Sequence, residues 1–277
     1  ISSGGTLSLA STITDLGTFT NNGTLSIDGS STQTIPGNSS KAVLILCEAA
    51  SPGPEGTLSI SGGGKVTYDT DGTDFQIQGD LIFSGNTDME IDNTGGTKVT
   101  LFSGTNISGA DDNNHIIGPA GTDVSVDYSS TSNSSFEVPI GPDGSLRSVT
   151  LTPSASSAST YTVQYKTGIP TGATLNFANT PTGVPLGNAT GVAHINNHYY
   201  YDVSPSPVLQ TDITVGFVGL DNVPAADPAQ RFLMHWNSTT LKWDALATTG
   251  VAGSTVTATA TSFSPFTQGS GGSALPI

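Results

Sequence analysis

Clustered carboxylates are the first residues in this chain whose types and spacing suggest chemistry. Asp69-Thr70-Asp71-Gly72-Thr73-Asp74 sets Asp69, Asp71 and Asp74 at alternate or near-alternate positions around a glycine, and Asp111-Asp112-Asn113-Asn114 gathers hard oxygen donors again. Calcium takes about six to eight oxygen ligands, so oxygen density of this kind is the raw material of a calcium loop. The later bidentate glutamate of a helix-loop-helix calcium hand is missing, and solvated turns are the commoner use of such clusters in an acidic chain. Calcium is the one cofactor these residues suggest, with Asp69, Asp71, Asp74, Asp111 and Asp112 as candidate ligands.

The four histidines offer less. His194 and His198 flank Asn196-Asn197 in a loop, where the two-histidine metal face of a helix has no geometric basis. His115 and His235 stand in no ligand pattern. No Gly-x-Ser-x-Gly elbow or phosphate loop is present, and no helix is predicted that could present either. Glycoside hydrolysis needs two opposed carboxylates, for which Asp69, Asp71, Asp74, Asp88 and Glu90 are candidates. The first half, however, holds only Lys41, Lys65 and Lys98 as cations and no tryptophan to grip a sugar. The chain therefore reads as a non-enzyme, with a polysaccharide-degrading β-helix enzyme as the far alternative. Trp236 and Trp243 bracket Asn237-Ser238-Thr239-Thr240, a hairpin loop by composition. One indole is expected inside and one outside, which makes Trp243 the candidate for contact with a sugar, although core packing is the more common use of the ring.

The elements that must position these groups are strands. Thr6-Leu7-Ser8-Leu9, Thr24-Leu25-Ser26-Ile27 and Thr57-Leu58-Ser59-Ile60 alternate hydroxyl and aliphatic side chains, the period of a half-buried strand. Gly-Thr dipeptides beginning at Gly5, Gly17, Gly23, Gly56, Gly72, Gly96, Gly104 and Gly121 punctuate this region, and Asn-Gly, Asp-Gly and Gly-Gly corners separate the strands. The recurrence predicts parallel strands coiled into rungs of roughly 15–25 residues, irregular in length. Beyond residue 135 lie both tryptophans, five of the seven tyrosines and twelve of the sixteen prolines. Longer alternating runs there, such as Tyr161–Tyr165, Ile213–Phe217 and Thr255–Thr259, predict an antiparallel sandwich. The expected organisation is all-β: a parallel β-helix-like region over 1–134, an antiparallel β-sandwich over 135–268, and a Gly/Ser linker with an apolar tail over 269–277. Cys47 closes the apolar run Val43–Leu46 and reads as a buried thiol.

Charge narrows the partners. Across 277 residues, 7 Lys+Arg face 22 Asp+Glu, a formal net charge of −15. Such a surface repels phosphate backbones and anionic headgroups, which argues against nucleic acid, and no stretch approaches the ~18 apolar residues of a membrane span. The opening at Ile1-Ser2-Ser3-Gly4-Gly5 and the scarcity of tryptic sites suit a trimmed product outside the cell.

Several segments carry a resemblance. Phe19-Thr20-Asn21-Asn22-Gly23-Thr24-Leu25 with Thr32–Ile35, Phe136–Gly141, Leu146–Leu151 and Ser262–Thr267 resemble large secreted surface proteins of Bacteroidetes-type bacteria. Those proteins commonly end in a type IX secretion sorting domain, entered through a segment like Leu275-Pro276-Ile277. The resemblance implies export to the bacterial cell surface and a β-helix-like stalk followed by a sandwich; it implies no catalytic residue.

A stack of rungs leaves backbone N–H and C=O groups unpaired at its terminal strand. Thr6, Leu7 and Leu9 form the first strand signal, and Leu275 and Ile277 give the tail its apolar character. Head-to-tail self-association through these residues into a filament is the expected mode of a structural surface protein. A glycan- or cell-binding adhesin acting through the sandwich loops is the alternative.

Overall fold

The computed structural model describes residues 6–9, 19–20, 24–27, 33–36, 44–46, 57–60, 66–69, 75–77, 80–84, 88–91, 99–102, 104–119, 123–170, 194–216, 231–252, 254–263 and 265–270. The architecture is all-β, with no α-helix among the described residues. The chain divides into two compact units: Ile1–Thr131 with Val138–Arg147, and Ser132–Glu137 with Ser148–Ile277.

The first unit is built on β1 (Thr6–Leu9), β2 (Phe19–Thr20), β3 (Thr24–Ile27), β4 (Gln33–Pro36), β5 (Leu44–Leu46), β6 (Thr57–Ile60) and β7 (Val66–Asp69). It continues through β8 (Phe75–Ile77), β9 (Asp80–Phe83), β10 (Met89–Ile91), β11 (Val99–Phe102), β12 (Ile107–Ser108), β13 (Ile116–Ile117) and β14 (Val124–Ser130). These strands sort into three parallel ladders: β1-β3-β6-β9-β12, β4-β7-β10-β13 and β2-β5-β8-β11-β14. From β3 onward the chain visits the first, second and third ladder in constant cyclic order.

Register is kept although the connections differ in length. Thr6, Thr24, Thr57 and Asp80 occupy one column of the first ladder, and Leu7, Leu25, Leu58 and Leu81 the next. At β9 the alternation is visible in burial, with Leu81 and Phe83 in the core and Asp80 and Ile82 half-buried. A one-residue slip would turn every aliphatic of a strand outward, so the pattern of hydroxyl and aliphatic residues pins the register.

One corner shows why Gly-Thr recurs. Gly104 adopts φ +102° between β11 and β12, a conformation that favours glycine. Thr105 follows it, donating its amide to Phe102 O at 2.9 Å and its buried hydroxyl to Ile77 O, also at 2.9 Å, on β8. The glycine makes the bend, and the threonine ties the bend to the neighbouring turn of chain. At the next corner, Gly109 has φ +77° and lies so close to β9 that an added Cβ would stand 2.0 Å from Phe83 O.

The second unit holds the first two residues of β15 (Phe136–Val138), β16 (Val149–Pro153), β17 (Ser159–Thr167), β18 (His194–Ile195), β19 (Tyr199–Ser206) and β20 (Thr211–Gly216). It is completed by β21 (Arg231–Asn237), β22 (Lys242–Ala245), β23 (Thr248–Ala252), β24 (Thr255–Ala260) and β25 (Pro265–Ser270). One sheet runs β17-β19-β25-β21-β22, with β18 also on β25; the other runs β15-β16-β20-β24-β23. The pairings β17–β19, β19–β25, β21–β25, β16–β20 and β20–β24 are all antiparallel. Strict alternation along β17 and β19 buries Tyr161, Val163, Tyr165, Tyr199, Tyr201 and Val203.

Polar bonds join the two sheets. Tyr161 OH lies 2.8 Å from Thr211 Oγ1, and Gln268 Nε2 donates to Gly216 O at 2.9 Å. The Gln268 side chain is satisfied on both ends, since Nε2 also donates to Tyr199 OH and Oε1 accepts from Asn196 Nδ2 at 2.8 Å. A buried amide with all these partners holds the sheets in one arrangement, because any slip strands a polar group in the core.

Two expectations about organisation change. The boundary is not a single crossing near residue 135, because 138–147 rejoins the first unit: Ile140 bridges Ile116 in parallel, and Gly141 N donates to Ile116 O at 3.2 Å. The Gly/Ser linker does not begin at Gly269 either. Gly269 pairs with Phe232 and Ile195, and Ser270 with Arg231 and His194, so both are strand residues of β25. Glycine and serine have low strand propensity, but a position with partners on both sides gains ladder hydrogen bonds whatever its side chain. Residues 271–277 lie outside the described residues, as does Cys47.

Candidate functional site

Of the acidic cluster at 69–74, Asp69 closes β7 with its backbone paired to Pro36, and Asp71 and Asp74 lie outside the described residues. The second cluster is a hydrogen-bonded turn. Asp111 Oδ1 accepts from Asn113 N and from Asn114 Nδ2, both at 2.8 Å, and Asp111 and Asn114 exchange backbone bonds. Asp112 Oδ1 accepts from Leu146 N at 2.9 Å. Each carboxylate already serves a backbone amide, and among the described residues no three His, Cys, Asp or Glu side chains gather as a metal centre. Asp111 and Asp112 thus act as turn formers, the use most common for aspartate beside asparagine.

The same turn positions a histidine that stood in no sequence pattern. His115 is fully buried, with Nδ1 3.0 Å from Asp111 O and Nε2 2.9 Å from Pro142 O. Asp88, just ahead of β10, accepts His115 N at 3.0 Å and sets the same Oδ1 3.5 Å from the ring Nδ1. The partners Asp88 and Pro142 each lie 27 residues from His115, one on either side. No local motif can reveal such a group, and its only sequence signal is a histidine inside an otherwise acidic and polar turn.

The tryptophan hairpin forms as expected, with Trp236 opposite Trp243 across β21 and β22. The expectation that one indole lies outside is not met. Trp243 is 2 % exposed, and the two rings meet edge to face at 5.4 Å within a cluster that includes Ile195 and Met234. A buried ring offers no face to a sugar, so Trp243 is a packing residue; its indole N–H has no hydrogen-bond partner. Two titratable groups of this unit shift toward their neutral forms. Burial holds the His235 imidazole below its ordinary range, opposed by the Asp244 carboxylate paired across the strands. Burial likewise pushes the Asp202 carboxyl up, with Lys166 acting the other way. His194 lies on β18, and His198 is exposed beyond Asn196, so the two do not converge as ligands on a helix face.

The exposed feature of the hairpin is its tip. Leu241 is 58 % exposed and adopts φ +53°, a region in which a leucine Cβ is strained. Asn237 Oδ1 fixes the loop by accepting from Thr239 N and Thr240 N, both at 3.1 Å. Leu241→Gly is expected to raise stability by about 1 kcal/mol, because glycine removes that strain and little buried area is lost. Urea denaturation followed by tryptophan fluorescence reads the change directly, since both indoles flank the loop.

The residues expected in self-association are placed only in part. β1 carries Thr6, Leu7 and Leu9 at the outer side of the first ladder, paired with β3 on one side and with no further strand among the described residues. Thr6 is exposed, while Leu275 and Ile277 lie outside the described residues. No helix among the described residues is long and apolar enough to cross a membrane. Comparison with protein-family models, with curated proteins and with solved structures finds no match for the chain.

Proposed function

We propose that this chain is a non-catalytic structural module of the bacterial cell surface, in which a parallel β-helix stalk precedes an antiparallel β-sandwich. The observation that supports this reading is the constancy of the ladder columns. Thr6, Thr24 and Thr57 keep one register position although the chain between successive members differs in length. A scaffold selected for stacking behaves in this way: each rung adds ~4.7–4.9 Å along the axis, and length is gained by repetition without a site. The acidic, cation-poor composition and the resemblance to secreted Bacteroidetes-type surface proteins point the same way. In this reading the edge of β1 that pairs with no further strand among the described residues is where a further rung adds, and a second copy supplies it in a filament. The adhesin alternative has lost its one named residue, because Trp243 is core.

Negative-stain electron microscopy with sedimentation analysis tests the proposal. Fibres with an axial repeat of one subunit are the expected result. Dispersed particles that bind a glycan saturably, or that release reducing ends from a polysaccharide, would overturn it.

A further inference from the structure

One run of chain closes both sheets of the second unit on the same flank. β22 is the last strand of its sheet and β23 the last of the other. Lys242–Ala245 pairs with β21, Leu246 N still donates to Leu233 O at 3.0 Å, and from Thr248 the chain pairs with β24 instead. Strands that switch sheets in this way turn the corner of a sandwich. The flank is therefore a single strand over 242–252, with no further strand beside it among the described residues.

The β23 half of that flank lacks the usual protection of an edge. Natural edges carry charged side chains or proline, or are covered. Thr248-Thr249-Gly250-Val251-Ala252 has neither charge nor proline, and all of it is exposed except Gly250, which is half-buried. One protection is present, a bulge between Thr248 and Gly250; beyond it Gly250, Val251 and Ala252 keep register with Thr257, Val256 and Thr255. Val251 lies opposite Val256, and directly paired residues share a face of the sheet. Val256 is fully buried, yet Val251 on the same core-facing side is 37 % exposed. The rim of the core is left open there.

We infer that this flank pairs with the same flank of a second copy, β23 against β23 in antiparallel fashion across a two-fold axis. Such a contact is isologous, because an open edge is complementary to itself when the partner is turned by half a revolution. With the axis at Val251, that residue meets its own mate and Gly250 meets Ala252 of the second copy, all within the regular run. Edge N–H and C=O groups gain partners, and the two Val251 side chains cover each other.

Charge selects the occupant. Copies with a net charge of −15 repel, and approach costs least where neither brings a carboxylate. No Asp, Glu, Lys or Arg occurs from Ala245 to Ile277, so β23 and its neighbour β24 are both uncharged. The first acid beyond β24 in this sheet is Asp212 on β20, which accepts from Thr259 Oγ1 at 2.5 Å. Lys242 and Asp244 belong to the half paired with β21, where Asp244 Oδ2 accepts from Asn237 Nδ2 at 3.1 Å. A partner of opposite charge gains no attraction at such an edge, whereas a second copy meets no repulsion there. The pairing uses the second unit alone and is independent of the edge of β1.

Disulfide trapping of the full chain tests it. Val251→Cys places a thiol on the axis, and mild oxidation followed by denaturing electrophoresis without reductant reads the bond. The expected result is a covalent pair and nothing larger, formed at least tenfold faster than by Val208→Cys, whose site is exposed but lies outside the strand. Wild type, whose single thiol is Cys47, should form none. Sedimentation of Val251→Lys reads the contact without a bond: like charges meeting on the axis should weaken the two-copy species at least tenfold, while Val208→Lys leaves it unchanged. Equal trapping at 208 and 251, or a two-copy species that Val251→Lys does not weaken, would sink the inference. Fibres that persist in Val251→Lys while the pair is lost would support it, because axial assembly through β1 is a separate contact.

Discussion

Gly109→Ala should cost on the order of 4 kcal/mol, placing it among the few single substitutions that can unfold a domain. Two effects add. A φ of +77° strains any residue with a Cβ, at roughly 1–2 kcal/mol. The new methyl would also stand 2.0 Å from the Phe83 carbonyl oxygen, which is backbone and is held by the ladder of β9. Relief requires one turn of the chain to move away from the next, and that breaks the stacking on which the first unit depends. Gly144→Ala separates the two effects. Its φ of +74° is nearly the same, but nothing lies within 4 Å of the added carbon, so only the conformational cost of roughly 1–2 kcal/mol should appear. Urea denaturation followed by circular dichroism measures both variants, and equal losses would refute the packing argument. Tryptophan fluorescence reports the second unit by itself, because both indoles belong to it.

Trp243→Ala should cost about 3–5 kcal/mol, the usual range for removing a large aromatic from a packed core. A surface ring used for binding would behave otherwise, with stability changing by less than about 0.5 kcal/mol and only affinity falling. The T-shaped contact with Trp236 and the packing against Ile195 and Met234 predict the first outcome. Trp243→Phe is the informative companion. It keeps most of the apolar ring and removes an indole N–H that is buried without a partner, so the two changes offset, and the net effect should be within about 1 kcal/mol of wild type. A large loss in Trp243→Phe would mean that the N–H contributes to the fold. Thermal denaturation of the two variants beside the wild type decides the matter.

Taken together, these substitutions locate the sensitive positions of the molecule at corners and sheet contacts. Asp111 and Asp112 organise a turn, and the group that turn positions is His115. The tertiary arrangement joins this turn, through Asp112 Oδ1, to the amide of Leu146 on the returning segment.

What was legible in the sequence is what is local in physics. Alternation of hydroxyl and aliphatic residues in Thr6–Leu9, Thr24–Ile27 and Thr57–Ile60 specified strands, because a strand sends successive side chains to opposite faces. The Trp236–Trp243 hairpin was legible because the polar stretch Asn237-Ser238-Thr239-Thr240 between the two tryptophans leaves the chain little choice but to turn back. The compositional change near residue 135 falls beside the first antiparallel strands, although 138–147 returns to the first unit through a parallel bridge. Three features were decided only by the tertiary structure, each for the same reason: its partner is distant along the chain and is selected by which ladder is open. Residues 138–147 return to the first unit because Ile116 presents a free edge beside β10. Gly269 and Ser270 join a strand against their propensity because β21 and β18 stand on either side of them. His115, with its two carbonyls and Asp88, exists as a site only once three separate segments have been stacked. Local periodicity carries the type of an element, whereas closure of the backbone hydrogen bonds chooses its neighbours, and in this protein the neighbours make the site.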